Sequence, residues 1–183
     1  MPRIAVVLAT ALILPAGLSA QSDQQIIDKA TAAAPNRSRD AVTVISWNAD
    51  HSYRVVREGT NQMVCYDRSS ENRRAAFDVQ CTNLGNLERV AQNREFRANS
   101  ADRDAENAMI AAAEADGTRV LPEYGSVWIA MRGEDGASAG VHTTIAMPGA
   151  TMESSGFPED RSGGGAYIMN PGTTTAHLMV PGR

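Results

Sequence analysis

Aromatic side chains are scarce in this chain, at 5% of 183 residues, and it has only two cysteines. With so few large rings, the core falls to small and medium side chains, and the many alanines, glycines and short polar residues point to a modest core with long connections. A surplus of positive charge is also missing: 17 basic residues face 21 acidic ones, for a net charge of −4. That balance argues against nucleic acid or an anionic membrane as a partner unless the charges segregate on folding. No long apolar run follows residue 14, and Ile4 to Leu14 is itself short of the roughly 20 residues that span a bilayer, so no membrane span is expected. There is no CxxC pair, and His51, His142 and His177 stand far apart with no HxH or HxxxH spacing, so neither a metal nor a cofactor is expected.

What is present begins with an export leader. Arg3 supplies a positive start, Ile4 to Leu14 an apolar run, and Leu18-Ser19-Ala20 small residues for a cut before Gln21. The residue after that cut is Gln21, not a cysteine that could accept a lipid. Residues 1–20 therefore read as a signal peptide, and 21–183 as one domain in the periplasm or outside the cell. Arg3 leaves with the leader, so 16 basic residues face 21 acidic ones, a net charge of −5. In an oxidising compartment Cys65 and Cys81 are expected to form one disulfide, contributing on the order of 3 kcal/mol by restricting the unfolded chain.

Ser22, Asp23, Ile26, Ile27 and Ala30 predict a surface helix over 22–34 that Pro35 ends. The β-branched run Ala41 to Trp47, then Tyr53 to Arg57 and Met63 to Tyr66, predicts a three-stranded antiparallel meander. Gly59 and Asn61 supply positive φ in its second turn. Residues 67–74 are all polar or charged and read as a solvated loop closed by the disulfide, with Arg68, Arg73 and Arg74 a short surface cluster. Helices are expected from Asn83 to about Ala98, with Arg89 and Arg94 at polar positions, and from Ser100 to Gly117. Val127 to Met131, Val141 to Met147, Ala166 to Met169 and Ala176 to Val180 are strand candidates. The fold class that follows is α+β: an antiparallel sheet with two or three helices packed on one side.

Gly136-Ala137-Ser138-Ala139-Gly140 matches the GxSxG pattern of a nucleophile elbow, with Asp160 and His177 following in triad order. An elbow needs a helix after the serine, whereas Val141 to Ile145 reads as a strand, so a plain loop is the expected role. His177, in the apolar segment Ala176 to Val180, reads as a hydrogen-bonded core or edge residue. Arg132 to Gly136 lacks the regular oxygen ligands of a calcium loop, and Gly163-Gly164-Gly165 lacks the Lys-Ser/Thr of a phosphate loop. Asn36-Arg37-Ser38 fits a glycosylation sequon.

Arg57-Glu58-Gly59-Thr60-Asn61 followed by Cys65 and Cys81, with His177-Leu178-Met179-Val180-Pro181 near the end, resembles a group of uncharacterised secreted bacterial proteins. That group shares an REGTN turn, two spaced cysteines and a terminal histidine just before methionine. Gln62 and Met63 stand where it has a glycine and an aromatic. The resemblance implies export and the disulfide and carries no activity. Two function classes remain: a non-catalytic exported binding or accessory domain whose partner is an envelope protein or small ligand, or a small serine hydrolase using Ser138 and His177.

Overall fold

The computed structural model describes residues 21–180, so the expected signal peptide and its cut lie outside the described residues. The chain opens with helix α1 (Asp23–Ala30), which starts where it does because Ser22 and Gln25 form a reciprocal cap. Ser22 Oγ accepts from Gln25 N at 3.3 Å and Gln25 Oε1 from Ser22 N at 2.9 Å, satisfying two amides the first turn leaves free. A 3-10 turn, Thr31–Ala33, carries it on towards Pro35.

Strands β1 (Thr43–Trp47), β2 (Tyr53–Arg57), β3 (Met63–Asp67) and β4 (Phe77–Asn83) follow, then helices α2 (Leu87–Ala98) and α3 (Arg103–Ala115). Strands β5 (Val127–Gly133) and β6 (Gly140–Ala146), the one-turn helix α4 (Met152–Ser155), β7 (Tyr167–Met169) and β8 (His177–Val180) complete the chain. All eight strands form one sheet in the order β2-β1-β3-β4-β5-β6-β8-β7. Every neighbouring pair is antiparallel except β1 and β3.

That parallel pair corrects the expected meander. β1 and β2 do form a hairpin, but β3 lies on the far side of β1, with Thr43 opposite Val64 and Val44 opposite Cys65. The turn after β2 passes tightly across the start of β1: Thr60 N and Asn61 N both donate to Ala41 O, and Gly59 N donates to Thr43 Oγ1. A Cβ on Gly59 would sit 2.3 Å from Thr43 N and 2.4 Å from the Val42 carbonyl carbon. Glycine is needed here for closeness of approach, not for the positive φ expected of it.

The fold class is mixed α+β, but the helices are not gathered on one side. Alternation along β3 sends Cys65 to one face and Val64 and Tyr66 to the other. On the first face Ala30 and Ala33, with Ile26 and Ile27, pack on Val44, Cys65, Val79, Cys81 and Ile129. On the second, Leu87 and Val90 of α2 pack on Ile45, Val64 and Tyr66. The narrow stripe of α1 is thus core, with Ala30 fully buried, because alanine lets the helix backbone approach the sheet closely. A third cluster, Ala150, Ile168, Ala176 and Leu178, holds the β7–β8 end.

The disulfide forms as expected, but it ties strand to strand. Cys65 and Cys81 face each other across β3 and β4, with Cα atoms 4.1 Å apart. Residues 77–81, expected to end the loop that the disulfide closes, and Asn83, expected to cap a helix, all belong to strand β4 between β3 and β5. Helix α3 is capped by Asp102 rather than Ser100, with Asp102 Oδ1 accepting from Ala105 N at 2.8 Å. Among the described residues no helix is long and apolar enough to cross a membrane.

Candidate functional site

Charged side chains collect on the second face of the sheet. In α2, Arg89, Asn93 and Arg97 fall at i, i+4 and i+8, so they form one stripe turned towards the sheet. Helix α3 adds Glu106 and Ile110, the segment after it adds Arg119 and Pro122, and the sheet supplies Gln80, Trp128 and Thr144. Residues 174–177 close the far end. Together they line an open cavity of about 370 Å³ with six arginines and a single acid, Glu106.

Half of this wall is neutralised from within. The loop between β3 and β4 turns Glu71 inward until its side chain is only 4% exposed. There the carboxylate meets Arg94 at 2.6 Å, Arg97 at 2.5 Å, Arg68 at 3.2 Å and Arg74 at 3.4 Å. Burial works against ionising Glu71, but the guanidinium of Arg68, joined by those of Arg97 and Arg94, holds its carboxyl down at about 2. Glu106 takes Arg97 at 2.8 Å and Arg73 at 2.9 Å, and the fully buried Asp78 takes Arg132 at 2.9 Å. Arg68 also donates to Gln80, which accepts from the hydroxyl of Tyr66.

The other half is not neutralised. Arg89 is 5% exposed and Arg119 6%, yet among the described residues neither has a carboxylate within ion-pair distance. Arg89 donates to the carbonyls of Val120 and Thr174. Arg119 donates to Gln92 Oε1 and Asn93 Oδ1, each at 2.5 Å, and lies over the Phe96 ring at 5.5 Å, while its Nε has no partner. Burial pulls the Arg89 guanidinium down to about 10, and neighbouring Arg119 adds to the pull against the opposing Glu114. Burial likewise lowers Arg119. Glu114 offsets part of this from a distance at both guanidiniums, but their direct partners are neutral oxygens, which leaves a net positive potential that an anion would relieve.

The expected solvated cluster is therefore corrected. Arg68 is buried, and Arg73 reaches Ser100 O at 2.8 Å as well as Glu106. Arg89, read as a polar surface position, faces inward. A signal was available: Lys29 is the only lysine in the chain, so almost every cation is a planar guanidinium able to hold two oxygens at once.

The hydrolase residues are not brought together. Ser138 lies exposed in the β5–β6 turn, where Asp135 Oδ1 accepts from Ser138 Oγ at 2.8 Å and from Ser138 N at 2.8 Å. Asp160 caps its own loop, accepting from Ser162 N at 2.7 Å. His177 pairs with Ala146 at the opposite end of β6, and that seven-residue strand puts roughly 20 Å between serine and imidazole. His177 does line the cavity, with Nδ1 2.7 Å from Thr175 O; a carbonyl only accepts, so Nδ1 carries the proton. His51 sits in the β1–β2 turn and His142 on β6, and among the described residues no three metal-ligating side chains converge. No protein-family model matches the chain, nor does a curated protein or a solved structure.

Proposed function

We propose that the chain is an exported, non-catalytic binding domain whose arginine-lined cavity takes up a small anionic ligand. The observation that carries this reading is the pair Arg89 and Arg119, both buried and, among the described residues, with no carboxylate within ion-pair distance. Six arginines gathered in a chain of net charge −4 are the segregation of charge that overall composition conceals. Residues 1–20 support export to the periplasm or beyond, and the Cys65–Cys81 disulfide is consistent with an oxidising compartment. The terminal histidine segment and the REGTN turn support kinship with secreted proteins of that pattern.

The test is calorimetry and thermal unfolding of residues 21–183 with inorganic phosphate, sulfate and, as a control, chloride. A ligand at a hundred times its Kd adds about 2.7 kcal/mol, which raises the midpoint of a domain this size by roughly 5–10 °C. Binding weakens as ionic strength rises. Identical midpoints in phosphate, sulfate and chloride, with no heat of binding, would overturn the reading.

A further inference from the structure

We infer that the ligand is an organic anion: an oxyanion headgroup held by Arg89 and Arg119, carried on a flat apolar body that lies against Trp128. This inference rests on reading the cavity as an anion site and adds what the rest of the ligand is made of.

The argument is one of size and of the lining. A cavity of about 370 Å³ falls in the range of roughly 300–1,000 Å³ that holds small organic molecules. A bare oxyanion of five heavy atoms would leave most of it to water. The remaining lining is mixed, with polar groups such as Gln80, Asn93 and Thr144 beside an apolar set. That apolar set is Trp128 on β5, Ile110 on α3, Pro122, Ala146 and Ala176.

Trp128 is placed by strand alternation: Cys81 opposes Ile129, so Ile129 turns to the α1 face and its neighbour Trp128 to the cavity. Its ring is only partly buried and packs against the second core cluster along one side. The other side is a rigid apolar surface for a ring or short chain to cover, and ordering it costs no side-chain freedom. Oxygens at one end and an apolar face at the other define an amphiphilic anion. Carboxylate and phosphate share the headgroup chemistry that a guanidinium reads.

Four probes separate the parts: inorganic phosphate, phenyl phosphate, benzoate and the uncharged benzyl alcohol, each titrated into residues 21–183 by calorimetry with tryptophan emission followed in parallel. At least one of phenyl phosphate and benzoate is expected to bind ten times more tightly than inorganic phosphate, the tighter of the two naming the headgroup. Benzyl alcohol is expected not to bind. The organic anion should quench emission in the native protein and not in Trp128→Phe, and Trp128→Leu should bring its affinity to within threefold of phosphate.

Arg89→Gln should abolish binding. Because Arg89 also holds two chain segments through Val120 and Thr174, Arg103→Gln, at an exposed lining arginine, serves as the second variant and should weaken binding severalfold. If phosphate binds as tightly as both organic anions, the apolar body is refuted while the anion site stands. If no probe binds, the site reading fails and this inference with it. Benzyl alcohol binding as well as benzoate would show that charge is not read.

Discussion

Glu71→Gln should be among the most destabilising isosteric substitutions in the protein. The change keeps shape and removes one negative charge that four arginines share, at a side chain 4% exposed. Arg68, 7% exposed, and Arg97, 9% exposed, cannot turn to water without opening the sheet–helix contact. Removing one partner of a buried ion pair costs about 3–5 kcal/mol because the other charge stays buried.

The titration of Glu71 yields a similar figure independently. Its carboxyl falls from 4.5 to about 2 on folding, and at 1.36 kcal/mol per pH unit this corresponds to roughly 3 kcal/mol. A carboxyl depressed by folding stabilises the native state above its unfolded value, near 4.5, and that stability is lost as the pH falls towards 2. Urea unfolding followed by circular dichroism should therefore show the variant about 3–5 kcal/mol less stable at pH 7. Roughly half that difference or less should remain at pH 3, where the unfolded carboxyl is already protonated and ionising it in the native state gains less. Sulfate should restore more stability to the variant than to the native protein, by supplying a counter-charge. A loss below about 1 kcal/mol at pH 7, or one that does not shrink with acid, would refute the argument.

Reducing the disulfide should cost about 3 kcal/mol and lower the thermal midpoint by roughly 6–12 °C; an unchanged scanning-calorimetry trace under reductant, with two free thiols counted, would contradict it. Gly59→Ala should destabilise by about 2 kcal/mol or more, since its Cβ would meet backbone at 2.3 Å; a urea midpoint matching the native one would show that the turn can move aside. Ser138→Ala removes only an exposed turn contact and should cost about 1 kcal/mol or less, with no change in turnover of a general ester substrate, whereas lost turnover would restore the hydrolase reading.

Several elements were legible because their signals are local. The Ser22 cap, the β-branched run of β1 and the four late strands announce themselves within a few residues of sequence, and the two cysteines are the only pair available to bond. Strand β4 was not legible. Its alternate residues Asp78, Gln80 and Thr82 are polar, and polar alternation reads as loop when the face it meets is expected to be water. That face instead meets buried arginines, so the strand is amphipathic against a charged layer. The early strand order was likewise hidden, because a short connection usually predicts a hairpin and only the hydrogen bonds to Ala41 show it crossing beneath β1.

Sequence alone therefore determined the class of the fold, the staple and most of the element boundaries, all of which depend on neighbours in the chain. The tertiary structure alone decided which arginines are buried, which meet a carboxylate and which face the cavity without one in contact. Glu71 reaches Arg94 and Arg97 across 23 and 26 residues, and Arg89 reaches Thr174 across 85. The energy of a charge depends on the solvent and counter-charges around it, and in this chain those are set by segments that meet only after folding.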